Sequence, residues 1–189
     1  AMNIFNPAIV GRTFIYISFA NEMTADWVHP FTKLPGGFAA WLSPNIVTTA
    51  TPIKNSAAYS LFDLFRGSVP GCIGETSVIL IILGAVYLLA TKTAKWEIML
   101  STLLSMTIFS LIFYPSSELL FLLLSGGVLF GTVFMATDPI TAPKNRSVIW
   151  IYGLLIGFLT VFIRKYALWT EGFMFALLLT NSFIPLIEY

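Results

Sequence analysis

Ser125-Gly126-Gly127-Val128-Leu129-Phe130-Gly131-Thr132-Val133-Phe134-Met135-Ala136-Thr137-Asp138-Pro139-Ile140-Thr141-Ala142-Pro143-Lys144-Asn145-Arg146 is the stretch that decides the fold class. It opens as the second half of an apolar span and closes on an acid, two prolines and two cations. Gly126, Gly127 and Gly131 remove side chains where a neighbouring helix or a ligand must come close. Asp138 follows a run of apolar and small residues, which puts it at or near membrane depth. A carboxylate at that depth is expensive and marks a functional site by default. Pro139 has no amide hydrogen and disfavours a helical Asp138, so the helix is predicted to end just after the acid. Helix C-terminal carbonyls together with a carboxylate suit a cation better than an anion. The plainer alternative is a helix end at the membrane interface with a solvated aspartate.

The rest of the chain agrees with a membrane setting. Of its 189 residues, 57% are hydrophobic and 10% charged, and the mean hydropathy is +0.86. Soluble domains carry about 25% charged residues. The chain therefore reads as an all-α integral membrane protein in a single membrane domain, residues 3 to 189. A net charge of +1 excludes a nucleic-acid surface. The single Cys72 excludes a disulfide framework or a cysteine-ligated metal within one chain. Ala1-Met2 reads as an added N-terminal scar, and the abrupt start at Asn3-Ile4-Phe5-Asn6-Pro7 reads as a piece of a longer protein.

Taken in order, the first apolar segment runs from Pro7 to Ala20, with Asn6 as cap and Pro7 in the first turn. It is short for a spanning helix, which needs about 20 residues. Arg12 inside it is expected to face protein or an anion. Residues 21 to 72 are broken by Pro30, Pro35, Pro44, Pro52, Pro70 and Gly36-Gly37. Trp27, Trp41 and Tyr59 suit a headgroup boundary. This is a long extramembrane or re-entrant loop with room for a short helix over Asn55 to Phe65. His29, the single histidine, is read as structural or solvated. Stronger spans follow at Ile73 to Thr91, Trp96 to Tyr114, Glu118 to Thr137 and Ser147 to Ile163. A last one, Glu171 to Ile187, is interrupted near its end by Pro185. The expected total is about five to six spans, some short or broken. Lys92 and Lys95 share a side with Lys144 and Arg146, and the positive-inside rule puts that side in the cytoplasm and the 21–72 loop on the outer face.

Gly71-Cys72-Ile73-Gly74-Glu75-Thr76-Ser77 opens a span. Glu75 and the hydroxyls are expected in its first turn, capping free amides. The functional alternative makes Glu75 and Asp138 two separate stations of an ion path. Thr48-Thr49-Ala50-Thr51-Pro52 is a hydroxyl-rich run that carries no specific signal by itself. No catalytic triad, phosphate loop or metal-ligand spacing is present. Gly84 and the Gly153-Leu154-Leu155-Ile156-Gly157 pattern fit close helix packing.

Together these pieces carry a family resemblance. Ser125 to Arg146, centred on Ala136-Thr137-Asp138-Pro139, resembles the D subunit of the Rnf electron-transport complex and the B subunit of the sodium-translocating NADH:quinone oxidoreductase. Phe5-Asn6-Pro7, Gly74-Glu75-Thr76-Ser77, and Gly172-Phe173 through Asn181 to Pro185-Leu186-Ile187 agree in order. The resemblance is to the C-terminal part of that subunit, with the N-terminal membrane half missing. It implies one repeat of an inverted-repeat fold related to urea and ammonium transporters. It also implies FMN joined by a phosphodiester to a threonine on the outer face, attached by a flavin transferase. Thr51 is the implied acceptor, with Thr48, Thr49, Ala50 and Pro52 around it. Asn45 stands where the family often has an acid, and Thr49 where it often has glycine. Thr48 and Thr49 are alternative acceptors.

The implied function is a membrane subunit of a redox-driven ion-translocating oxidoreductase, coupled to Na+ or H+ movement and inactive alone. Its implied partners are the other membrane, flavin and iron–sulfur subunits in the inner membrane. A second, non-covalent flavin stays open. A cofactor-free transporter or channel half and a purely structural membrane subunit are the rival readings.

Overall fold

Helix α1 (Pro7–Ser18) starts where the sequence predicts, because the Asn6 side chain accepts from the Ala8 amide and proline fills the first turn. Described in this computed structural model are residues 3–20, 59–69, 71–72, 74–125, 127–167 and 172–188. Helix α2 (Leu61–Arg66) overlaps the second half of the short helix expected over Asn55 to Phe65 and ends one residue beyond it. Ser60 and Asp63 form a reciprocal capping box, and Gly67 closes the helix at φ +86°. Helix α3 (Val78–Ala90) is followed by α4 (Trp96–Phe113). A single 3-10 turn (Ser116–Glu118) leads into α5 (Leu119–Leu124). Helix α6 (Val128–Phe130) runs directly into a π-helical turn (Gly131–Met135). Helices α7 (Arg146–Tyr166) and α8 (Gly172–Glu188) complete the chain. Among the described residues there is no strand.

The core is an α4–α7–α8 layer. Its closest approach is set by glycine, as the spacing of residues 153 and 157 predicts. A Cβ on Gly157 would stand 2.6 Å from Ser105 Cβ and 2.8 Å from the Met106 amide nitrogen, and one on Gly153 would collide with Ser101. The freed space lets Ser105 Oγ donate across the interface to the Leu154 carbonyl at 2.7 Å. Tyr152, Ile156, Ile98, Met106 and Leu177 fill the layer, and α1 contributes Ile9 and Tyr16.

Three expectations about the spans are corrected. Glu118 to Thr137 is not one helix: Ser116–Leu124 and Val128–Met135 are bent by 57° relative to one another. The first half-helix ends on Ser125, and Gly127, at φ +70°, a conformation that favours glycine, caps the start of the second. The span predicted from Ile73 is helical only from Val78. Pro185, expected to interrupt the last span, lies inside a continuous α8; a proline near a helix end in an apolar setting loses few backbone partners. Among the described residues, α4 and α7 are long and apolar enough to cross a membrane, and the bent pair makes a third if it counts as one span. Helices α3 and α8 are shorter and apolar. Helix α3 turns Leu80, Leu83 and Tyr87 outward, at 60% exposure or more.

The two cationic loops lie together. Lys95 Nζ donates to the Pro143 carbonyl at 2.6 Å, joining the α3–α4 connection to the loop before α7. The Glu188 carboxylate accepts from the Lys144 and Asn145 amides at 2.6 and 3.2 Å, tying the end of α8 to the same loop. Near the other ends of α4 and α7, Lys165 Nζ sits 4.8 Å from the Tyr114 ring centroid.

Candidate functional site

The half-helix Val128–Met135 has an acid at each end. Asp138 lies just beyond its C-terminus. The helix stops at Met135, three residues before the acid, so Asp138 is in the following turn and not in the last helical turn as predicted. The Ala136 amide bonds the Gly131 carbonyl at 2.8 Å, the wide ring of a π turn. That turn uses the residues that would otherwise have continued the helix to Asp138. π-bulges occur frequently at functional sites.

The Asp138 carboxylate is held by neutral donors. Its Oδ2 accepts from Asn6 Nδ2 at 3.3 Å and from Thr141 Oγ1 at 3.1 Å. Its Oδ1 accepts from the Ile140 amide at 3.2 Å. No cationic side chain among the described residues lies within 4.0 Å of it. The acid lines a cavity of about 450 Å³ with Asn3, Asn6, Leu88, Phe134 and Thr137. This is a partly buried carboxylate, fixed in orientation, beside the negative end of a helix. Such an arrangement attracts a small cation.

Glu75 occupies the other end. It does not cap the first turn of α3 as expected: Ser77 is the N-cap there and makes no side-chain capping bond. Instead Glu75 Oε1 accepts from the Cys72 amide at 3.1 Å, and Oε2 pairs with Arg12 NH2 of α1 at 3.5 Å. Glycine at 127 is required for this approach, since a Cβ there would stand 2.9 Å from Glu75 Oε2. Glu75 thus faces the amide end of the half-helix, where a negative charge is stabilised. Arg12 faces an acidic residue of the protein, one of the two environments the sequence allows.

The break between the half-helices carries a second cation that the sequence analysis did not single out. Arg164, buried at 6% exposure, donates from NH1 to the Leu122 carbonyl at 2.9 Å and from NH2 to the Ser125 carbonyl at 3.3 Å. These are carbonyls that a helix C-terminus leaves without helical partners. The signal available in sequence was an arginine one helical turn beyond Thr160 on the packed face of α7. Asn6 was also read only as a cap; its Oδ1 does cap α1, while its Nδ2 reaches Asp138, 132 positions away.

Asp138 and Glu75 are therefore kept apart, bridged by the half-helix on one side and by α1 on the other. Asn6 and Arg12 are six positions apart on α1, a rise of about 9 Å. Thr48, Thr49, Ala50, Thr51 and Pro52, together with Asn45 and His29, lie outside the described residues. Among the described residues there is no group of three or more His, Cys, Asp or Glu side chains that could hold a metal.

Comparison with known proteins places the chain in a family. The sequence model of the NQR2, RnfD, RnfE family matches residues 1–189. The B subunit of the Na(+)-translocating NADH-quinone reductase of Chromohalobacter salexigens is 35% identical, over 99% of this chain and 47% of its own length. The proteins of the same description from Pseudomonas aeruginosa and Azotobacter vinelandii are 35% and 34% identical, each over 99% of this chain and 48% of its own length. The chain spans about half the length of these curated relatives.

Proposed function

Because the chain belongs to the NQR2, RnfD, RnfE family, we propose that it acts as a membrane subunit of a redox-driven ion-translocating oxidoreductase, moving Na+ or H+ as electrons pass. The observation that carries the ion reading is Asp138, a fixed carboxylate at the C-terminal end of a broken span, with no counter-cation among the described residues. The relatives are named as Na(+)-translocating enzymes, which favours Na+. The half-helix supplies carbonyl dipoles, Asn6 and Thr141 hold the carboxylate, and the cavity admits the ion. Glu75, with Arg12, is the second station. The broken span supports reading the chain as one repeat of a urea- and ammonium-transporter-like fold.

Thr51 is proposed as the covalent attachment point for FMN, with Thr48, Thr49, Ala50 and Pro52 forming its recognition run. FMN bound there would supply one-electron transfer, while the chain supplies position and surroundings. The other membrane, flavin and iron–sulfur subunits are the proposed partners, with a flavin transferase as the modifying enzyme. The proposed setting is the inner membrane with the Thr51 loop on the outer face. That placement draws on the cationic loops that Lys95 and Pro143 bring together on the opposite side.

Two experiments test this reading. After coexpression with a matched transferase, intact mass should show one covalent FMN that disappears in Thr51→Ala; an unmodified wild-type chain removes the carrier role. In the full-length complex, Asp138→Asn should raise the Na+ concentration for half-maximal quinone reduction about tenfold. A charge-assisted contact worth about 1.5–3 kcal/mol is being lost. An unchanged Na+ dependence would return Asp138 to a solvated helix end.

A further inference from the structure

The Glu75 carboxylate is divided between two partners of different kinds. Oε1 is fixed by a backbone amide, that of Cys72, which cannot leave without moving the chain. Oε2 is paired with Arg12, a long side chain on a separate helix, at the outer limit of a direct contact and with 20% of its surface still accessible. The Glu75 side chain is 6% accessible. Gly127 puts no side chain of its own beside Oε2, where a Cβ would stand 2.9 Å away. An acid held only for structure would gain from a short, fully buried bidentate contact. Here one oxygen is anchored, and the other faces an open backbone position and a cation that can be withdrawn.

Helix α1 suits such a withdrawal. It buries Ile9 and Tyr16 against the core but leaves Val10, Phe14, Ile15 and Ile17 exposed. Two of its polar ties, Asn6 to Asp138 and Arg12 to Glu75, reach the two acids that flank the half-helix. A small movement of α1 would loosen both ties together.

We infer that Arg12 is a tethered cation: its guanidinium holds the place at Glu75 Oε2 that the transported ion takes, and so sets how tightly that station binds. This rests on the reading of Glu75 as a station of the ion path. No covalent or redox step is involved. One positive charge replaces another on a single carboxylate oxygen, and the arginine stays protonated throughout.

The test uses the full-length complex in proteoliposomes, with Na+ as the probe ion. Arg12→Gln should lower the Na+ concentration for half-maximal uptake by about fivefold, the scale of a removed partly exposed ion pair. Arg12→Lys, which keeps a charge but makes a weaker single-point contact, should shift it in the same direction by less. It also keeps the inference testable if the glutamine variant fails to assemble. Added guanidinium ion should inhibit uptake competitively with Na+ in Arg12→Gln and not in the unaltered protein. Glu75→Gln separates the two ideas. If Glu75→Gln impairs uptake while both Arg12 variants keep the original Na+ dependence and show no guanidinium competition, the tethered-cation role is wrong and the station stands. If Glu75→Gln leaves uptake and its Na+ dependence unchanged, the station itself is wrong, and the role of Arg12 falls with it.

Discussion

Gly127 shows how much one position decides. Its φ of +70° is strained for any side chain, and a Cβ would press on Glu75 Oε2 at 2.9 Å. Gly127→Ala should therefore lose about 1–3 kcal/mol of stability, read as a lower Tm of the detergent-solubilised protein. The same change should weaken the Arg12–Glu75 pair, which Gly84→Ala should leave alone. At Gly84 the clash is with Phe134 Cζ, 2.6 Å away, at the tip of an aromatic ring. Asp138 was legible in the sequence because an acid before a proline at the end of an apolar run is costly to keep at membrane depth. Its distant donor was not legible, since Asn6 lies 132 positions away, and neither was the Arg12–Glu75 pair, whose members are separated by 63. Sequence reasoning sees capping and spacing within a few turns, and these contacts depend on how α1 docks.

Among the elements, the bent span is held open by Arg164. Its guanidinium satisfies the Leu122 and Ser125 carbonyls, and both would stay buried without it. Arg164→Met should lower Tm markedly, on the scale of about 3–5 kcal/mol for stripping a buried charged partner. It should also increase protease cleavage within 119–131 in detergent. Arg164→Lys, with one ammonium where two directions are needed, should rescue only in part. The α4–α7 contact makes a contrasting prediction. Gly157→Leu drives a side chain into Ser105 and Met106 and should separate the helices, at a cost of about 1–3 kcal/mol or more. A Tm within a degree of the starting protein would show that the helices can part freely there. The glycine spacing announced this contact, since two small residues one turn apart have a direct packing meaning. The π turn was not announced. Gly131–Met135 is an apolar run with no internal punctuation, and its wide hydrogen-bond ring follows from tertiary constraint. At Gly131, a Cβ would collide with Phe173 of α8.

At the scale of the whole molecule, polarity is sorted by end. Lys95, Pro143, Lys144 and Glu188 meet at one end, while Lys165 and Tyr114 meet near the other. Single cysteines at Lys144 and Lys165, in a Cys72→Ser background, should react with an impermeant thiol reagent from opposite sides of sealed vesicles. Labelling of both from one side would overturn the placement of the two ends of α7 on opposite sides of the bilayer. Composition made the membrane class plain, and the charge pattern paired the two cationic loops that Lys95 joins. The number of complete spans was less legible, because hydropathy cannot distinguish a straight span from two half-helices set at an angle. The exposed apolar face of α3 is matched to lipid or to further protein.

All three scales meet in the half-helix with an acid at each end, where Asp138 is the residue proposed to carry the ion. The most direct measurement is Na+ uptake per electron transferred, in proteoliposomes containing the full-length complex with Asp138→Asn. Covalent flavin content should be verified as equal to that of the unaltered complex. Uptake per electron is expected to fall at least about tenfold, in keeping with a lost charge-assisted contact, while electron transfer from the donor to the first flavin persists. An unchanged ratio of ions to electrons, with the flavin still in place, would contradict it.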